Sequence, residues 1–162
     1  VYKGLDIGSG KINKKEMMLG LRSALAMIAS IDLIKKKYSR LAEVKLDNKL
    51  PFVVESKILE LKAKEFFNSL KNILGETLFE LALHEKQIRA GRGKMRNRKY
   101  KSNAGILLVI GDKQEKKISG LDVIKANDVK LGDLAINGAR LVMFTEEAVK
   151  DMETKLSGGS KK

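Results

Sequence analysis

Residues 86–101, Lys-Gln-Ile-Arg-Ala-Gly-Arg-Gly-Lys-Met-Arg-Asn-Arg-Lys-Tyr-Lys, place eight Lys or Arg in sixteen positions with no acid among them. Arg offers a planar fork of donors that matches a phosphate, and Lys a mobile point charge. Eight like charges this close repel one another unless a polyanion neutralises them. Gly91 and Gly93 let the backbone approach a phosphate, Asn97 interrupts the block, and Tyr100 supplies a ring on which an unpaired base can stack. The chemistry indicated is phosphate-backbone binding, with Lys86, Arg89, Arg92, Lys94, Arg96, Arg98, Lys99 and Lys101 as the cations. The rest of the chain is nearly balanced: residues 1–85 carry 15 basic against 11 acidic side chains, and residues 102–162 carry 10 against 9. The net charge of +13 is therefore concentrated in one segment, the electrostatic footprint of a nucleic-acid binder. The block has no recognition-helix period, and no helix-turn-helix, zinc finger or basic zipper can be built from the sequence, which tilts the expectation towards RNA.

Other chemistries are poorly supported. Gly8-Ser9-Gly10-Lys11 has the Gly-Lys pair of a phosphate-binding loop, but Leu5 and Ile12 stand where that motif needs Gly and Ser or Thr. Gly91-Arg92-Gly93 opens like a dinucleotide fingerprint, yet Arg96 replaces the third Gly. With no Cys and one His, thiol nucleophiles, disulfides and Cys-type zinc sites are excluded, and His84 has no partner constellation for catalysis. Asp112, Asp122 and Asp128 lie near predicted strand ends, where turns and helix caps use Asp for ordinary reasons. No catalytic residue, metal, cofactor or small-molecule substrate is expected. The rival readings are an RNA-processing or RNA-modifying enzyme with Asp112 or Asp122 as its reactive carboxylate, and a regulatory RNA binder.

The elements that must carry the basic block follow from periodicity. Residues 1–12 read as an irregular lead-in, residues 13–156 as a single α/β domain with a basic loop at 86–101, and residues 157–162 as a flexible tail. Asn13 followed by Glu16 suits a helix start, and Met18, Leu21, Leu25 and Ile28 recur along one face, predicting a long helix through about Lys37. Leu50 to Glu55 predicts a strand opened by Pro51, with Ser56 capping the next helix. Two apolar stripes, Phe66 to Leu74 and Leu78 to Ala82, predict two short helices meeting at Gly75. Ile106 to Ile110 is apolar at successive positions, as in a strand covered on both faces. Leu121 to Ile124 and Arg140 to Phe144 predict further strands around a short helix at about 128–135, and Thr145 caps a last helix that begins with Glu146 and Glu147. The alternation predicts three layers: a mainly parallel sheet of about four strands flanked by helices, with an extended basic loop. Mutual repulsion predicts that this loop is disordered without a polyanion. The longest apolar run, residues 106–110, is too short for a membrane span.

Three stretches taken together resemble the L-four family of large-ribosomal-subunit proteins in its archaeal and eukaryotic branch. They are Lys11-Ile12-Asn13-Lys14-Lys15-Glu16 with Leu21-Arg22-Ser23-Ala24, then Ile88 to Arg98, then Thr145-Glu146-Glu147-Ala148. Leu50 to Glu55 matches the family's strand at a similar spacing. The resemblance implies a structural, non-catalytic protein in the ribosome of the cytoplasm, bound to large-subunit rRNA and neighbouring ribosomal proteins. It adds Lys11, Lys14, Lys15 and Arg22 to the RNA-contacting set. It also implies a first segment and a tunnel-reaching Gly- and Arg-rich loop, which this sequence, beginning at Val1, does not contain. At residues 136–140 the family's Pro-Gly-Gly-His-x-Gly-Arg pattern is reduced to little more than Arg140.

Overall fold

A computed structural model describes residues 12–41, 50–135 and 137–158, so Lys11 and the 1–11 part of the predicted lead-in lie outside the described residues, as does most of the predicted tail. The chain forms helices α1 (Lys14–Ile28) and α2 (Ile31–Lys37), strand β1 (Phe52–Val54), helix α3 (Ala63–Ala82) and strands β2 (Lys86–Ile88) and β3 (Tyr100–Ser102). Strands β4 (Leu107–Ile110) and β5 (Asp122–Lys125), helix α4 (Leu131–Ala135), strand β6 (Val142–Thr145) and helix α5 (Glu146–Gly158) complete it. Strands β1, β6, β4 and β5 lie side by side in that order, and every pairing in this sheet is parallel. The three-layer α/β expectation is borne out.

The unbroken apolar runs of the two central strands are divided between the layers by parity. Leu108, Ile110 and Met143 pack on one face of the sheet with Ile34 of α2 and Phe66, Leu70, Leu74 and Leu78 of α3. Leu107, Val109, Val142 and Phe144 pack on the other with Leu21, Ala24 and Ile28 of α1, Leu134 of α4, and Ala148 and Met152 of α5. Successive residues of a strand point to opposite faces, so a strand inside a sandwich must be apolar at both parities. Each such fully buried aliphatic or Phe side chain contributes about 1.5–3 kcal/mol.

Local signals behave as their chemistry requires, with exceptions. The Asn13 side chain accepts from the Lys15 N–H at 3.1 Å, and the Thr145 hydroxyl accepts from the Ala148 N–H at 3.3 Å, so both predicted caps form. The long helix predicted through Lys37 is instead two helices meeting at 87° around Ala29 and Ser30. The reason is tertiary: α1 and Ile34 of α2 bury their apolar residues on opposite faces of the sheet, so the chain must turn between them. Ser56 caps no α-helix; it opens a single 3-10 turn, and α3 begins at Ala63 without a side-chain cap. The two helices predicted around Gly75 appear as halves of α3, whose backbone leaves helical values at that residue.

Candidate nucleic-acid interface

The basic block is not an irregular loop. Strands β2 and β3 pair antiparallel, Lys86 opposite Ser102, Gln87 opposite Lys101 and Ile88 opposite Tyr100. Beyond the strands the ladder continues with the Arg89 N–H donating to the Lys99 carbonyl at 2.8 Å. The tip is a 3-10 turn over Gly91–Arg96, closed by Asn97 in the left-handed conformation and by the Arg98 N–H donating to the Gly93 carbonyl at 3.1 Å. Where charge repulsion predicts disorder, the structure has a hairpin. The ladder holds the backbone even though it sets Arg89 directly opposite Lys99, where like charges repel.

Gly91 has φ of 76°, a value a side chain rarely tolerates, with open space above it, so the backbone there is bare towards solvent. The space above Gly93 is filled by the aliphatic stem of Arg89, whose Cδ would lie 2.8 Å from an added Cβ. All eight cations are exposed, and among the described residues none of them forms an ion pair. Residues directly opposite in an antiparallel ladder share a face. One face of the hairpin therefore carries Lys86, Ile88 and Tyr100, and the other carries Gln87, Arg89, Lys99 and Lys101. Ile88 and Tyr100 are exposed, as is Met95 at the tip, and the Lys99 ammonium sits 5.6 Å from the Tyr100 ring centroid. A cation-flanked aromatic ring open to solvent is suited to stacking on a base.

The hairpin is rooted in the body by residues that composition and spacing do not single out. Asn103, just after β3, accepts from the Glu85 N–H at 2.9 Å through its side-chain carbonyl and donates through its amide to the Leu83 carbonyl at 2.8 Å. Its backbone carbonyl accepts from His84 Nδ1 at 2.9 Å. The two chain segments that enter and leave the hairpin are thereby tied to each other. Gly105, with φ of 61°, passes so close to the end of α3 that a Cβ would lie 2.7 Å from the Ala82 carbonyl oxygen. Arg140, which precedes β6 and is 8% exposed, donates through Nε to the Gly105 carbonyl at 3.2 Å, and through its terminal nitrogen to the Ala104 carbonyl and the Asp122 carboxylate. His84 Nε2 lies 3.2 Å from the other oxygen of Asp122, outside good hydrogen-bonding geometry. His84, to which sequence assigns no role, thus belongs to the root.

The other expected RNA-contacting residues lie elsewhere. Lys14, Lys15 and Arg22 are exposed on α1, which packs on the opposite face of the sheet from α3, and Arg22 donates to the Leu156 carbonyl of α5 at 3.0 Å. The structure does not gather them onto the hairpin. The two carboxylates of the enzyme reading are also separated: Asp122 opens β5 opposite Leu107, while Asp112 follows the far end of β4. Asp122 is engaged by Arg140, and Asp112 accepts from the backbone N–H of Asn127 at 3.0 Å and from its side-chain amide. Both carboxylates hold chain segments together.

No family model matches the chain. It is similar to large ribosomal subunit protein uL4 of Methanocaldococcus jannaschii, with 36% identity over 151 residues, covering 88% of this chain and 58% of that protein. The uL4 of Thermoplasma acidophilum is 35% identical over 88% of this chain and 58% of its own length. That of Thermoplasma volcanium is 38% identical over 87% of this chain and 57% of its own length. The chain therefore spans rather more than half the length of the curated relatives it matches.

Proposed function

The chain belongs to the uL4 family of large ribosomal subunit proteins, and from that premise we propose that it is a structural, non-enzymatic constituent of the large subunit that grips rRNA with the 86–101 hairpin. The observation that carries this reading is the set of eight exposed cations that form no ion pair among the described residues, on a near-neutral body. Phosphates supply the missing counter-charge. Lys86, Arg89, Arg92, Lys94, Arg96, Arg98, Lys99 and Lys101 contact the backbone, Gly91, Gly93 and Asn97 shape the tip so that it can approach, and Tyr100 stacks on an unpaired base. Lys11, Lys14, Lys15 and Arg22 form a second, supplementary contact, on α1 and just before it. Neighbouring ribosomal proteins are the other partners, the location is the ribosome in the cytoplasm, and the role is to hold rRNA segments in place as the subunit assembles. The affinity is mainly electrostatic: if about 6–8 phosphates are neutralised, it falls by roughly three or more decades between about 50 and 200 mM salt.

The test is sedimentation of a lysate through gradients at moderate and high salt, following this chain against the subunits. Co-migration with the large subunit that survives the high-salt wash is expected. Migration at the top of the gradient would contradict the ribosomal assignment and favour an RNA binder that acts outside the ribosome.

A further inference from the structure

Between the end of α2 and the root of the hairpin lies a cleft of about 370 Å³, within the size range of sites for small ligands. Its walls bring cations and carboxylates together: Lys37 lines it too, its ammonium donating to the Gly138 carbonyl at 3.2 Å. Arg40, in the turn after α2, and Lys101, on β3, supply cations; Glu80, in the last turn of α3, and Glu85, just before β2, supply carboxylates. Among the described residues these four form no ion pair with one another. Glu85 is held by the Gln87 side-chain amide, which donates to it at 3.2 Å. Half-buried Tyr38 forms part of the same wall, and burial pushes its phenol pKa up, so it stays a neutral donor.

Opposite charges in one cleft ordinarily collapse onto each other. Held apart, they match a ligand that is an anion at one end and an N–H donor at the other. Gln87 and Lys101 also sit on the hairpin face that carries Arg89 and Lys99, so a phosphate backbone following that face is led to the mouth of the cleft. An unpaired nucleotide meets both requirements. Cytosine, adenine and guanine carry an exocyclic amine with two N–H donors, enough to meet both Glu80 and Glu85, whereas uracil offers the single N3–H between two carbonyls that the carboxylates repel.

We propose that this cleft is a subsite for a single unpaired, amino-bearing nucleotide of the bound RNA, its phosphate between Arg40 and Lys101 and its exocyclic amine on Glu80 and Glu85. The inference rests on the RNA-binding reading of the hairpin and adds base selectivity to it. Phosphate contacts alone position RNA without reading it, and the acids of the cleft supply the reading.

The test uses four RNA stem-loops that differ only in one unpaired nucleotide beside the stem, titrated with the whole chain at two salt concentrations. The A, C and G versions are expected to bind about tenfold more tightly than the U version. In the double variant Glu80→Gln/Glu85→Gln all four bind more tightly, because two repulsive charges are gone, but the ratio between them falls below about twofold and the salt slope is kept. Arg40→Ala is expected to lower the salt slope by about one for all four. Equal affinities for the four RNAs, or a preference that survives Glu80→Gln/Glu85→Gln, would overturn the subsite while a steep salt slope left the hairpin reading intact. Salt-independent or absent binding of all four would overturn both.

Discussion

The tip and the root of one hairpin use the same residue types to opposite ends. At the tip, Arg92, Lys94, Arg96 and Arg98 are exposed and form no ion pair among the described residues. At the root, Arg140 is enclosed, and its donors are taken up by two backbone carbonyls and Asp122. An Arg held by two carbonyls and a carboxylate inside the protein stabilises the fold and is not free to move onto a ligand. An Arg that is left unpaired contributes little to stability and can bind a polyanion. Only 42 residues separate Arg98 from Arg140, so what divides their roles is the local supply of acceptors.

The largest break in stability is expected at the root. Arg140→Met leaves the Ala104 and Gly105 carbonyls and the half-exposed Asp122 without their donor, and is expected to cost about 2–3 kcal/mol, or roughly 5–10 °C in Tm. A thermal melt of this variant indistinguishable from the parent would erase the distinction between root and tip. Asn103→Ala comes next, at about 1–2 kcal/mol, because its side chain ties both strands of the root. Hydrogen exchange is expected to accelerate in β2 and β3 while the central strands β4 and β6 stay protected. Uniform acceleration across the chain would mean that the root does not act on the hairpin in particular.

Much of the contrast could be read from sequence at one end and not at the other. The tip is contiguous, so its charge stands out in sixteen residues, and its glycines and Asn97 mark a turn. The hairpin strands were hidden because β2 and β3 are exposed on both faces and show no apolar alternation. Strand β4 was legible because burial on both faces imposes an apolar run, and β6 for the same reason. The break between α1 and α2 is hidden in the sequence, since Ile31 and Ile34 continue the apolar spacing of α1 although Ile34 packs in the other layer. The root was the least legible part: His84, Asn103, Asp122 and Arg140 come from four separate segments and meet only after the sheet has formed. Sequence marks Asp122 as a strand-end carboxylate and Arg140 through the family resemblance, but not that they meet, and it does not mark Asn103.

An exposed ion pair on α3 contributes less than either end of the hairpin. Lys71 and Glu76 pair at 2.9 Å on the exposed side of α3, and the hydrogen bond and charge of Lys71 hold the Glu76 carboxyl below its ordinary value. A carboxyl depressed in the folded state adds stability above its unfolded pKa and loses it as pH falls through the folded one. In Lys71→Met an NMR titration of Glu76 is expected to return towards the ordinary carboxylate midpoint, while Tm at neutral pH changes by less than about 2 °C. A larger loss would mean that exposed pairs in this fold stabilise as the enclosed root does.

The measurement that bears most directly on the hairpin is the salt dependence of binding to a large-subunit rRNA fragment, compared between the parent and the variant Arg92→Ala/Lys94→Ala/Arg96→Ala/Arg98→Ala. The log–log slope is expected to flatten by roughly three to four, with Tm within about 2 °C of the parent. An unchanged slope, or a stability loss as large as that of Arg140→Met, would contradict the assignment of the tip as the RNA grip.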